Sequence, residues 1–169
     1  MSVKKKPSKI LKRYNPHKGL EKAEMANSLG PQWQMNVSNS SYVWSSRTER
    51  LNVLRSGLPY DAFEVISNRA GLSIKKILAL FEIPQTTYNK KKREKGLLNN
   101  RDSEMVLVLT ELMDFGTEVF DNDLEKFQRW LKKPNISLGN VSPESLFDSL
   151  TGVQEVKNAL NRLEYGNLA

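Results

Sequence analysis

The feature that most constrains this chain is a break. Ser73 can cap a helix running to about Phe81, and Ile83-Pro84 stops it, because a residue before proline is pushed out of the α region. A second helix starts at or just after Pro84 and stops at Gly96. Two short helices joined by so tight a turn have the layout of a helix-turn-helix.

The side chains of the second helix fit that layout. Gln85, Thr86, Thr87 and Asn89 are amides and hydroxyls, which pair with base edges in the major groove when they lie in the first turn of a recognition helix. Lys90, Lys91, Lys92, Arg93 and Lys95 follow, and one helix cannot aim all five at one groove. Some are expected to face phosphates and to supply affinity that falls with salt. Tyr88 falls where the helix turns back to its own core, so it is expected to pack. The plainer reading of the same residues is a helical domain that packs this way and reads no DNA.

Charge divides the chain just after this motif. Residues 1–98 hold 19 Lys and Arg against 7 Asp and Glu, whereas residues 99–169 hold 7 against 12, within a net charge of +7. A basic half joined to an acidic half points to two surfaces for two kinds of partner, the basic one a polyanion. Residues 1–46 are expected to be a basic, polar arm and linker, largely unstructured, whose Trp33, Tyr42 and Trp44 could dock on the neighbouring domain. Residues 47–98 form the helix-turn-helix domain. It is led by a short helix at Arg47–Arg55 and by a second that Pro59 opens, with Phe63, Ile66 and Ala70 inward.

Residues 99–169 read as one compact helical unit. Asp102 or Ser103 can cap a long helix with Met105, Val108, Leu109, Leu112 and Met113 on one face, and coverage that broad implies contact on two sides, as a central helix or a dimer seam. Asn122 with Glu125 resembles a capping box for the next helix, Leu124 to Leu131. The acids Glu111, Asp114, Glu118, Asp121, Asp123 and Glu125 fit no calcium loop and read as a solvated face. An enzyme is hard to build here: there is no cysteine, His17 is the lone histidine, and no glycine-rich phosphate loop or G-x-S-x-G elbow occurs. No cofactor and no metal are expected. No apolar run is long enough to span a bilayer and no secretory h-region is present, so a cytoplasmic protein is expected.

The ending carries the most specific pattern. Trp130-Leu131 leads to Pro134-Asn135, Leu138-Gly139, and Pro143 with Leu146; a break at Thr151-Gly152 comes next, then a last helix with Val153, Val156, Leu160 and Leu163 as a buried stripe. Arg162, Glu164, Tyr165 and Gly166 close it. Taken alone, these residues allow a helix that simply stops. In combination they resemble the C-terminal toxin-binding domain of Xre-type antitoxins from bacterial RES–Xre toxin–antitoxin modules, the Xre/MbcA/ParS group. The resemblance covers roughly Leu72 to Ala169, since those antitoxins also resemble Cro-like helix-turn-helix proteins. Two positions depart from that pattern: Glu82 stands where a left-handed glycine is common in the turn, and Leu78 where a small alanine is common four residues earlier.

The resemblance implies an all-α fold and a cognate RES-domain toxin, similar to ADP-ribosyltransferases and consuming NAD. It implies toxin contacts at Trp130, Leu146, Leu160, Arg162, Leu163, Glu164, Tyr165, Gly166, Asn167, Leu168 and Ala169. Arg162, Tyr165 and the carboxy-terminal residues would occlude the NAD pocket. The expected function is therefore an antitoxin of a type II pair that also binds operator DNA, as a homodimer, to regulate its own operon. The alternative is a stand-alone helix-turn-helix repressor whose C-terminal domain only dimerises.

Overall fold

The computed structural model describes residues 31–166. The expected basic arm up to residue 30, and Asn167-Leu168-Ala169, lie outside them. The described chain is mostly helical: α1 (Arg47–Ser56), α2 (Ala62–Ala70), α3 (Ile74–Leu80), α4 (Gln85–Arg93), α5 (Asn100–Val119), α6 (Leu124–Lys132) and α7 (Leu150–Glu164), with 3-10 turns at Ile136–Leu138 and Pro143–Leu146. No helix among the described residues is long and apolar enough to cross a membrane.

One sheet adds to the expected all-α fold. Residues 33–44, expected within an unstructured linker, form an antiparallel hairpin of β1 (Trp33–Val37) and β2 (Ser40–Trp44), with Trp33 opposite Trp44 and Met35 opposite Tyr42. Every second residue of β1 is apolar, and the strand period of two puts Met35 and Val37 inside while Gln34 and Asn36 face water. Trp44 is fully buried, and its indole Nε1 donates to Glu111 Oε1 at 2.8 Å. Arg69 on α2 donates to Gln34 O at 2.9 Å and to Asp114 Oδ1 at 2.6 Å. Part of the acidic row on α5 is thus not simply solvated: it holds the hairpin, α1 and α2.

Helix α5 is the axis of the fold. Its 20 residues span about 30 Å, and Val106, Leu107, Leu109, Leu112 and Met113 are buried because α2 and the hairpin cover one side and α7 another. Several local starts differ from those expected. Asn99, rather than Asp102 or Ser103, caps α5, its side chain accepting from Asp102 N at 2.8 Å. Asn122 takes a left-handed φ of 62°, so Asp123 caps α6 instead, through Lys126 N. Pro59 lies in a turn before α2, where Ala62 N bonds its carbonyl. Thr151-Gly152 is no break, since Ser149 caps α7 and places both residues in its first turn.

The helix-turn-helix and the C-terminal helices share one core. Helix α2 ends at Gly71, left-handed at φ 65°, and the Gln128 amide of α6 donates to the carbonyls of Asn68 and Arg69, both at 3.0 Å. Those are terminal helix carbonyls that otherwise need water. Lys76 of α3 pairs with Glu144, in the 3-10 turn before α7. Gly152 packs so closely under Leu146 that a Cβ there would lie 2.1 Å from the Leu146 carbonyl oxygen.

Candidate nucleic-acid interface and C-terminal binding face

The turn between α3 and α4 is built as a left-handed helix stop. Ser73 caps α3; at its far end Glu82 N bonds Ala79 O and Ile83 N bonds Leu78 O at 2.9 Å, with Glu82 at φ 56°. Glutamate thus adopts the conformation for which glycine is favoured. Leu78, at the position where alanine is common, is buried in the core. An aromatic cluster sets the geometry: the Phe63 ring meets Phe81 edge-on at 4.7 Å and Tyr88 at 6.3 Å.

Pro84 precedes α4, and Gln85, Thr86, Thr87 and Asn89 are all exposed along it. Gln85 Nε2 donates to Asn89 Oδ1 at 3.1 Å, which sets the two amides on one side, one turn apart. Tyr88 points the other way. It is buried, and its hydroxyl donates to Glu64 at 3.1 Å. Burial, then the Glu64 hydrogen bond, push its pKa up to about 12.

The basic run divides by the same periodicity. Lys92 is four residues after Tyr88 and so turns inward: it bonds Glu64, lies 3.3 Å from Asp61, and sits 5.9 Å from the Tyr88 ring centroid. The Glu64 hydrogen bond raises the pKa of Lys92, and in turn Lys92 holds Glu64 below the ordinary carboxylate range. Lys92 is thus engaged by the protein's own carboxylates, unlike the rest of the basic run. Lys90, Lys91, Arg93 and Lys95 are exposed and make no ion pair among the described residues. Lys95 lies beyond the helix, at φ 53°, and Gly96 N closes the end on Lys91 O.

The expected C-terminal contact residues separate into three groups. Leu160 is fully buried and belongs to the core. Trp130 and Leu146 are half-buried; the Trp130 ring lies 6.1 Å from Phe127 and 5.8 Å from Phe120, so only part of it faces out. Arg162, Leu163, Glu164, Tyr165 and Gly166 are exposed. Leu163, expected inside the buried stripe, is 51% exposed, and Arg162, Glu164, Tyr165 and Gly166 around it are exposed as well. Tyr165 is 72% exposed. Ile136, which spacing arguments pass over because it lies between helices, is also strongly exposed.

Residues 49–107 match the family described as the Antitoxin Xre-like helix-turn-helix domain, and residues 116–166 match the Antitoxin Xre/MbcA/ParS C-terminal toxin-binding domain. The protein named Antitoxin Xre of Photorhabdus laumondii is 31% identical over 123 residues, covering 72% of this chain and 83% of that one. The chain belongs to the Xre antitoxin family. A second Antitoxin Xre, from Yersinia enterocolitica, is 28% identical over 122 residues, with 72% and 82% covered. The Prs ADP-ribosylating antitoxin of Sphingobium is 27% identical over 133 residues, with 74% and 84% covered. The chain is thus an antitoxin with a helix-turn-helix domain and a toxin-binding domain, and it works by binding rather than catalysis.

In this Xre antitoxin the two matched stretches meet inside one helix. The first ends at 107 and the second begins at 116, both within α5.

Proposed function

We propose that this antitoxin neutralises a RES-domain, NAD-consuming toxin by placing the end of α7 and the residues after it at the toxin's active site. Trp130 and Leu146 flank that contact. The observation that carries the reading is the change at Leu160: up to it one face of α7 (Gly152, Val153, Val156, Ala159 and Leu160) is buried in the core, and after it Arg162, Leu163, Glu164 and Tyr165 are exposed in a row. Nothing in the described fold uses these side chains. Arg162 can hold a carboxylate with two parallel hydrogen bonds, and Tyr165 offers a large rigid surface at low entropy cost.

The second activity we propose is repression of its own operon. A homodimer would present two α4 helices to a palindromic operator, with Gln85, Thr86, Thr87 and Asn89 at base edges and Lys90, Lys91, Arg93 and Lys95 near phosphates.

Truncation after Leu160 tests the toxin reading. The truncated chain should fold, because none of the described residues removed, 161–166, belongs to the buried core. It should no longer restore growth to cells that express the toxin, nor protect their NAD. Intact neutralisation by the truncated chain would end the tail-insertion reading. Arg162→Glu with Tyr165→Ala should give the same loss in the full-length chain.

A further inference from the structure

The connection between α6 and α7 presents one side chain that the fold does not use. Ile136 is 89% exposed, the highest value among the exposed large apolar residues of the described chain. It is not on a slack loop. Asn135 N donates to Val141 O and Asn140 N to Asn135 O, both at 2.9 Å, while Leu138 N reaches Asn135 O at 3.0 Å. The Asn135 side chain accepts from Ser137 N at 2.9 Å and from Ser137 Oγ at 2.8 Å. Gly139 and Asn140, left-handed at φ 74° and 64°, turn the chain back. Leu138 packs on the core and the 3-10 turn rests on α7. The result is a tied knob with Leu138 turned in, Ile136 turned out and Val141, at the closing bridge, partly exposed.

Two further observations say what covers Ile136. Nine large apolar side chains are exposed among the described residues, and six of them lie within 116–166, the toxin-binding match. Exposed apolar surface is thus concentrated in the part of the chain whose family description is binding a protein, where a structural role would have buried it. The approach to the knob is also basic. Lys126, Arg129, Lys132 and Lys133 are four of the seven cations in residues 99–169, all are exposed, and Lys132 and Lys133 come immediately before Pro134. An apolar knob with a cationic flank, set in an otherwise acidic half, calls for an apolar socket with a carboxylate rim.

We propose that Ile136 anchors the toxin contact: it enters an apolar socket on the RES-domain toxin, and carboxylates around that socket meet Lys132 and Lys133. This rests on the toxin-binding reading above and adds a contact separate from the α7 ending. A few central apolar residues dominate most protein contacts, rigid presentation lowers the ordering cost of binding, and rim charges act mainly on association rate. The hydrogen bonds of the knob supply that rigidity.

The test is titration of the full-length antitoxin against a RES-domain toxin from the same host, with DNA affinity, melting temperature and the mass of the free antitoxin measured alongside. Ile136→Asp should weaken toxin binding roughly tenfold or more. It should leave melting, DNA affinity and mass as they are, because the side chain touches none of those functions. Ile136→Leu should bind like the unaltered chain. Lys132→Glu with Lys133→Glu should slow association and flatten its salt dependence. Unchanged toxin binding by Ile136→Asp, while Arg162→Glu with Tyr165→Ala abolishes it, overturns the anchor and leaves the antitoxin reading standing. Absence of toxin binding by the unaltered chain overturns both. A change of mass in Ile136→Asp with toxin binding intact would assign the knob to a second copy of this chain and overturn the proposal.

Discussion

The ammonium of Lys76, on the first helix of the helix-turn-helix, closes on the carboxylate of Glu144, in the turn that leads into the last helix of the toxin-binding half. Glu144 is buried, and its second oxygen has no partner among the described residues. Lys76→Ala should therefore strand a carboxylate and cost about 1–2 kcal/mol, held below the fully buried case because Lys76 is half-exposed. Lys76→Ala with Glu144→Leu should recover most of that loss. Urea unfolding of Lys76→Ala, Glu144→Leu and the double variant decides it, and purely additive losses would show that the pair is not coupled.

Glu82 allows strain and charge to be separated in one turn. Its left-handed φ of 56° costs a residue with a Cβ about 1 kcal/mol relative to glycine. Glu82→Gly should raise the melting temperature and also tighten DNA binding at low salt, by removing an acid beside α4. Glu82→Ala keeps the strain and loses the charge, so it should tighten DNA binding without stabilising the fold. If both variants melt alike, the turn is not strained.

Within the basic run of α4 the neighbours Lys91 and Lys92 should behave differently. Lys91→Ala should weaken binding to all duplexes and lower the salt slope by about one unit. Lys92→Ala should leave the salt slope nearly as it is and lower stability, since its ammonium is held by Glu64 and Asp61. Gln85→Ala with Asn89→Ala should narrow the gap between operator and random DNA. Titrations on both duplexes at several salt concentrations check all three.

Alkaline conditions probe the inward side of α4. Tyr88 holds its proton more tightly when folded, at about 12 against an ordinary 10.0, and Lys92 shifts in the same direction. Their contribution to stability is whole below the unfolded values and is lost as pH rises from about 10 through the folded ones. The urea midpoint should fall between pH 8 and pH 11, and fall less in Tyr88→Phe. An equal fall in both chains would remove Tyr88 from the account.

Gly152→Ala tests the close approach at the start of α7. The added methyl meets the Leu146 carbonyl at 2.1 Å, so backbone must move, at about 1–3 kcal/mol. Toxin affinity should fall along with the melting temperature, because Leu146 moves too. An unchanged melting temperature would mean that the turn adjusts freely.

Much of this was legible in sequence where the cause is local. Ser73, Pro84 and Tyr88 mark the helix-turn-helix by capping, breaking and period, and each acts as read. The inward turn of Lys92 was legible as well, four residues after a tyrosine assigned to the core, but its charge drew it into the DNA set. The hairpin was hidden by composition: Trp33, Met35 and Val37 alternate as a strand should, but the serines and asparagines around them read as linker. Asp102 and Ser103 are cap residues by type, but the helix starts three residues before Asp102, at Asn99, and only the geometry shows it. Leu163 keeps helical spacing with the buried stripe, yet among the described residues it is left exposed. Spacing assigns a face of a helix, but only the rest of the fold decides how far along that face is covered.

Helix α5 begins in one matched domain and ends in the other, with no loop between them. A protease that cuts between the two matched stretches must break this helix, and a recombination there would graft half a core onto a foreign one. Neither event releases a working part. The two matched halves of this chain are tied to one core, so they are expected to be inherited together and to be lost together.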